Sequence, residues 1–240
     1  MSQPSTQQHT SMLEEMRRAI VNIAVPHHEP PQVIRRRRIV VAITLVVGAA
    51  LLGVSLTRRH EDASFFWWAL LLAAVWLVGA FTSGPLHLGG INWRGRNQRP
   101  VITGTSTGIV LGGVFLLGTL LVKQSPYATG KVNEVVGFAH HGWYPAVVLI
   151  TVVNAAAEEL FFRGALYTAL GRHWPILIST VLYTCSAMAS LNPLLGFAAI
   201  VLGIVCGLER RATGGVLAPM LTHFVWGLIM VLALPAIFPG

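Results

Sequence analysis

Two adjacent glutamates inside an apolar run are the residues of this sequence best placed to do chemistry. Glu158 and Glu159 lie in NAAAEELFFRGALYTAL, and the run continues apolar beyond Arg163. A carboxylate at the centre of a bilayer helix costs at least about 2.5–3.5 kcal/mol, so it faces protein or water, shares a proton or finds a cation. Arg163 supplies the cation: it follows Glu159 by four residues, one helical turn away. Neighbouring helix residues point about 100° apart, so both glutamates do not share one guanidinium. Glu159 is expected to pair with Arg163 and anchor the site, leaving Glu158 to project into the bundle as a base, with Asn154 one turn before it. The same residues also fit a structural Glu–Arg pair that fixes helix packing, or the interfacial end of a span. Intramembrane ionisable groups are functional by default, which favours chemistry. The second candidate is His223, in GGVLAPMLTHFVWGLIM, about eight residues or roughly 12 Å inside its apolar run. Of the other histidines, His27 and His28 fall in the tail, His87, His140 and His141 in loops, and His173 at a span edge. No HExxH zinc motif occurs.

These residues need a membrane bundle to position them, and the composition calls for one. Of 240 residues 54% are hydrophobic and 11% charged, against about 25% charged in a soluble domain, and mean hydropathy is +0.64. The expected architecture is all-α, a polytopic transmembrane bundle of about seven spans near 39–56, 64–82, 101–122, 144–169, 174–190, 193–208 and 215–237. The fourth is longer than one span needs, and Asn192-Pro193 makes a tight turn before the short sixth. Nine acidic residues occur; apart from the glutamate pair they are expected in the tail (Glu14, Glu15, Glu29) and in loops (Glu61, Asp62, Glu134, Glu209).

Two domains follow from this division: a polar N-terminal tail over 1–33, with an amphipathic stretch from Met12 to about Ala24 as a candidate surface helix, and a transmembrane domain over 34–240. Pro26, Pro30 and Pro31 are expected to end any helix of the tail. The net charge of +8 does not point to nucleic acid, because the basic residues cluster beside apolar runs, at Arg35–Arg38, Arg58/Arg59, Arg94/Arg96/Arg99 and Arg210/Arg211. Counting them by loop places the N-terminus in the cytoplasm and makes the chain a multi-pass integral protein of the cell membrane. No signal peptide is visible, so the first span directs insertion. Cys185 and Cys206 lie in apolar runs and indicate no disulfide framework.

Glu158-Glu159-x-x-x-Arg163 resembles the first motif of the CAAX-protease and bacteriocin-processing (CPBP, or ABI) family of intramembrane metalloproteases. GLERRATGGVLAPMLTH is similar to that family's third motif region, with His223 as its histidine. The resemblance covers about residues 145–230. It implies a helical bundle with a polar cavity, in which a glutamate activates water against a peptide bond of a membrane-associated peptide or protein. Glu158, Glu159, Arg163 and His223 would be the catalytic residues. Glu158 and His223, with Glu159 beside them, would be the donors for a divalent metal such as zinc, which normally takes three protein ligands and a water. Two positions depart from the pattern. The second motif, FxxxH, falls on SAMASLNP, where Ser186 and Ser190 replace Phe and His, and Gly227 stands where the third motif has Asn or Asp.

Three classes of function are compatible with these residues. The first is an intramembrane endopeptidase. The second is a catalytically impaired relative that binds peptides as a scaffold or immunity factor, which the missing polar residues favour. The third is a small transporter moving protons or cations on the glutamate pair, which would call for inverted repeats that the sequence does not display.

Overall fold

The computed structural model describes residues 29–56, 64–93, 95–141 and 143–239, and the amphipathic stretch from Met12 to Ala24 lies outside them. Among the described residues eight helices form: α1 (Pro31–Leu56), α2 (Ser64–Ser83), α3 (Val101–Val122), α4 (Pro126–His141), α5 (Tyr144–Leu170), α6 (Pro175–Met188), α7 (Pro193–Thr213) and α8 (Leu217–Ile237). A short antiparallel hairpin, β1 (Ile91–Trp93) with β2 (Arg96–Gln98), pairs Ile91 with Gln98 in the link between α2 and α3. Six helices are long and apolar enough to cross a membrane: α1, α2, α3, α5, α7 and α8. The chain is therefore a multi-pass helical membrane protein, as expected. All seven anticipated segments are helical, but α6 has 14 residues, which rise about 21 Å against a hydrocarbon thickness of about 30 Å.

Three boundaries differ from the expectation. Pro31 opens α1 instead of closing a tail helix, because a proline at the first helical position loses no hydrogen bond and has its φ preset. Arg35–Arg38 consequently lie inside the helix. Arg37 is fully buried; its guanidinium forms an ion pair with Glu29 and donates to Ser83 Oγ at 3.1 Å and to the Pro85 carbonyl at 3.0 Å. Helix α4, expected as a loop, carries His140 and His141 at its end, and His140 Nε2 meets the Phe238 carbonyl at 3.0 Å. Helix α7 runs on to Thr213, so Glu209 is in the bundle wall, buried, with the Thr222 hydroxyl 2.8 Å away.

Small residues bring the helices together. Without a hydrophobic force between helices in lipid, close backbone approach and packing take over. On α3, Gly104, Gly108 and Gly112 recur every four residues against α8: a Cβ on Gly108 would stand 2.8 Å from the Thr222 carbonyl oxygen, and one on Gly112 would stand 2.6 Å from Ile229 Cδ1. On α7, Gly203 and Gly207 admit Thr180 and Ile176 of α6. Asn192 caps α7 by accepting from the Leu194 amide at 3.0 Å, with Pro193 following it. The link after α2 lies along the start of α8, where the amides of Val216 and Leu217 donate to the carbonyls of His87 and Leu88. Gly89 has φ +82° there, and a Cβ on it would sit 2.6 Å from the Thr213 carbonyl oxygen.

The core lies under the glutamate pair. Trp76 of α2 is fully buried against Phe161 and Phe162 of α5, with ring centroids 4.7 and 5.2 Å apart, and Phe162 packs on Tyr183 of α6 at 4.8 Å.

Candidate active site

Helix α5 changes its winding at the acidic pair. It is α-helical from Tyr144 to Glu159, a π-helix from Leu160 to Leu166, and α-helical again to Leu170. Such widened turns shift hydrogen bonds from i−4 to i−5 and occur often at functional sites. Here the Tyr167 amide bonds the Phe162 carbonyl. The Arg163 carbonyl accepts instead from Arg210 Nε of α7 at 2.8 Å.

Glu159 and Arg163 are wholly inaccessible, and Arg163 Nη1 donates to Glu159 Oε1 at 2.8 Å. The same oxygen accepts from His223 Nδ1 of α8 at 3.0 Å. Arg163 is further held by the Leu202 carbonyl, 3.4 Å from Nη2, and by the ring of Tyr183, 4.7 Å from Cζ. A carboxylate paired with a guanidinium is an acceptor, so the His223 Nδ1 carries the proton. In that tautomer of the ring the lone pair is at Nε2. A carboxylate that fixes a histidine tautomer in this way is a recurrent support for a base or a ligand.

Glu158, by contrast, retains some access, and its Oε2 accepts from the Tyr183 hydroxyl at 2.8 Å. Tyr183 thus connects the groups: its ring underlies Arg163, its hydroxyl holds Glu158, and its edge faces His223 at a centroid distance of 6.4 Å. The structure brings together Glu158, Glu159, Arg163 and His223 from α5 and α8. Asn154 stands apart from them, donating to the carbonyls of Ala69 and Ile150, and it ties α5 to α2.

Tyr183 is the residue the sequence did not reveal. It lies one helical turn before the aligned positions Ser186 and Ser190, and a tyrosine in an apolar helix carries no signal until its neighbours are known. Ser186 and Ser190 turn their hydroxyls to their own helix, on the Leu182 and Ala187 carbonyls. At Gly227, a Cβ would contact Thr151 Cγ2 at 3.5 Å.

The donor set does not suit the expected metal. Among the described residues no three of His, Cys, Asp and Glu are placed so that they could hold one metal ion. Glu159 Oε1 is taken by Arg163 and His223; the Glu158 carboxylate, the unpartnered Glu159 Oε2 and His223 Nε2 are the remaining oxygen and nitrogen donors, and they are not arranged as the three-ligand group that zinc usually takes.

Residues 140–229 match the type II CAAX prenyl endopeptidase Rce1-like family. Over 137 residues the chain is 28% identical to the uncharacterized protein YpbD of Bacillus subtilis (strain 168), an alignment spanning 55% of this chain and 68% of YpbD. No solved structure matches.

Proposed function

We propose, from the Rce1-like domain at residues 140–229, that the chain is an intramembrane endopeptidase acting on membrane-associated peptides or proteins, with Glu158 as its base. One observation carries this reading: Glu158, a half-buried residue whose carboxylate is held by a tyrosine hydroxyl, stands beside the buried Glu159–Arg163–His223 group. A water between Glu158 and His223 Nε2 would lose its proton to Glu158 as its oxygen attacks the peptide carbonyl carbon. Once protonated, Glu158 no longer needs the Tyr183 donor, and that O–H is the nearest one for the oxyanion. The tetrahedral intermediate then collapses, the C–N bond breaks, and Glu158 returns the proton to the leaving amine. His223 orients the water through its lone pair, in the tautomer Glu159 imposes. Every step uses this chain's own side chains, and none is assigned to a metal. The arginine clusters support an N-terminus on the cytoplasmic side.

A second reading, a peptide-binding relative without turnover, is favoured by the lack of a three-ligand metal group among the described residues and by Ser190 and Gly227 at motif positions. Reconstitution in liposomes with membrane-anchored peptides separates the two. Glu158→Gln should lower cleavage by about 10²–10⁴, and His223→Ala should lower it strongly. Cleavage that survives both changes would sink the protease assignment, and binding without cleavage in the wild type would favour the second reading.

A further inference from the structure

We infer that the groove between α6 and α7, on the side away from the acidic pair, is a binding site for an anionic phospholipid. The groove encloses about 600 Å³, and Leu177, Val181, Ile200 and Ile204 line its apolar length. That volume is typical of sites that hold one small amphiphile.

Its polar atoms are few, and they lack partners. At the mouth stands Arg211, whose Nε is buried with no hydrogen bond. Deeper in, one and two turns along α6, Thr180 and Thr184 line the groove, and neither buried hydroxyl oxygen has a partner. Thr180 is 6% exposed. A helical threonine ordinarily satisfies its hydroxyl on the carbonyl four residues back, as Thr151 and Thr168 do here. Thr180 and Thr184 do not, and a buried donor without an acceptor costs about 1–3 kcal/mol.

The fully or largely buried arginines of the bundle are already engaged. Arg37 has Glu29, Arg163 has Glu159, and Arg210 has the Arg163 carbonyl and the Tyr167 ring. Among the described residues no carboxylate pairs with Arg211, so an anion from outside the chain complements it.

Trp174 closes the mouth in a conformation that needs explaining. It caps α6 with φ +48°, a left-handed backbone uncommon for a bulky residue, and its ring is exposed at the rim. Tryptophan at this position suits the headgroup level of a bilayer. From the mouth inward, Arg211 and the indole come first, and below them the hydroxyls of Thr180 and Thr184 alternate along α6 with Leu177 and Val181, opposite Ile204 and Ile200 of α7. A glycerophospholipid fits this arrangement with its phosphate at the mouth and its ester-linked acyl chain in the groove below. Arg211 takes the phosphate, Thr180, the shallower hydroxyl, donates to an ester oxygen, and one chain runs on past Val181 and Ile200. Neither Glu158 nor His223 lines this groove, so the site stands or falls independently of the protease reading.

Quenching of Trp174 fluorescence by lipids with brominated acyl chains tests this in the full-length protein in phosphatidylcholine nanodiscs, with Trp174→Phe isolating the signal. Brominated phosphatidylglycerol should quench saturably, and brominated phosphatidylcholine should quench only weakly. Arg211→Gln should weaken the phosphatidylglycerol affinity about tenfold or more, and Thr180→Val about threefold, since hydrogen bonds to charged groups are the stronger ones. Equal quenching by the two lipids overturns the proposal, as does an unchanged affinity in Arg211→Gln. Inorganic phosphate competing as well as the intact lipid also overturns it, since that marks a free-anion site. If Arg211→Gln does not fold, Thr180→Val decides alone: unchanged affinity is refutation.

Discussion

Glu159 and Arg163 offer the sharpest test of how the site is held. Both side chains are 0% exposed, and Glu159 Oε1 carries the Arg163 and His223 bonds together. Removing one member of a buried ion pair strands the other charge and typically costs about 3–5 kcal/mol, whereas replacing both with apolar or neutral groups is often close to neutral. Glu159→Gln keeps an oxygen acceptor for Arg163, and Glu159 Oε2 has no partner to lose, so this change belongs at the low end, about 3 kcal/mol. Arg163→Met also gives up the Leu202 carbonyl and the Tyr183 ring, and belongs at the high end, about 5 kcal/mol. For a chain of this size each kcal/mol moves the midpoint by about 2–4 °C, so the single variants should melt roughly 6 to 20 °C below the wild type. The double variant strands no charge. It should be no less stable than Arg163→Met alone, which is a coupling of about 3 kcal/mol relative to the sum. Thermal unfolding in mild detergent, followed by circular dichroism, reads all four proteins. Additivity within about 0.5 kcal/mol would refute the argument that mutual neutralisation holds these two residues in the bundle.

Two further outcomes follow from the same structure. Gly108→Ala and Gly113→Ala are one substitution on one helix with opposite expected signs. At Gly108 the new methyl meets the Thr222 carbonyl oxygen and Val225 at 2.8 Å, while at Gly113 nothing lies within 4 Å. The first should lose about 1–3 kcal/mol through overpacking, and the second should gain up to about 1 kcal/mol from helix propensity, both read as melting temperatures. Tyr183→Phe should slow peptide cleavage about 10²–10³-fold, as loss of an oxyanion donor does, while retaining the ring against Arg163. An unchanged rate would remove Tyr183 from the chemistry.

Much of the bundle was legible because lipid imposes a simple demand. A span must be a continuous apolar helix, and the seven runs in the sequence all became helices. The Glu159–Arg163 pair was legible for a similar reason: helical spacing of four places the two side chains together whatever else surrounds them. The errors arose where local composition does not decide. Glu209 looked like a loop residue because charge and the adjacent arginines suggest an interface, yet α7 continues to Thr213 and the Thr222 hydroxyl of α8 meets the carboxylate. Helix α4 has too mixed a composition to announce itself, and its ends are set by neighbours, as in the contact of His140 with Phe238.

The sequence alone therefore determined the solvent this chain lives in, the helices it must form, and the acidic pair with its arginine, since each of these depends on composition or on spacing within one helix. Only the tertiary structure decided which carboxylate meets His223. The histidine is 64 residues from Glu159 and bonds it, while Glu158 is bonded by Tyr183, 25 residues away. Those choices rest on how α5, α6 and α8 pack, on the π-helical turns that free the Arg163 carbonyl for Arg210, and on glycines that let backbones touch. None of these is a property of any one stretch of chain. The glutamates were visible from the start; which of them is anchored and which is left accessible is a fact of three helices meeting.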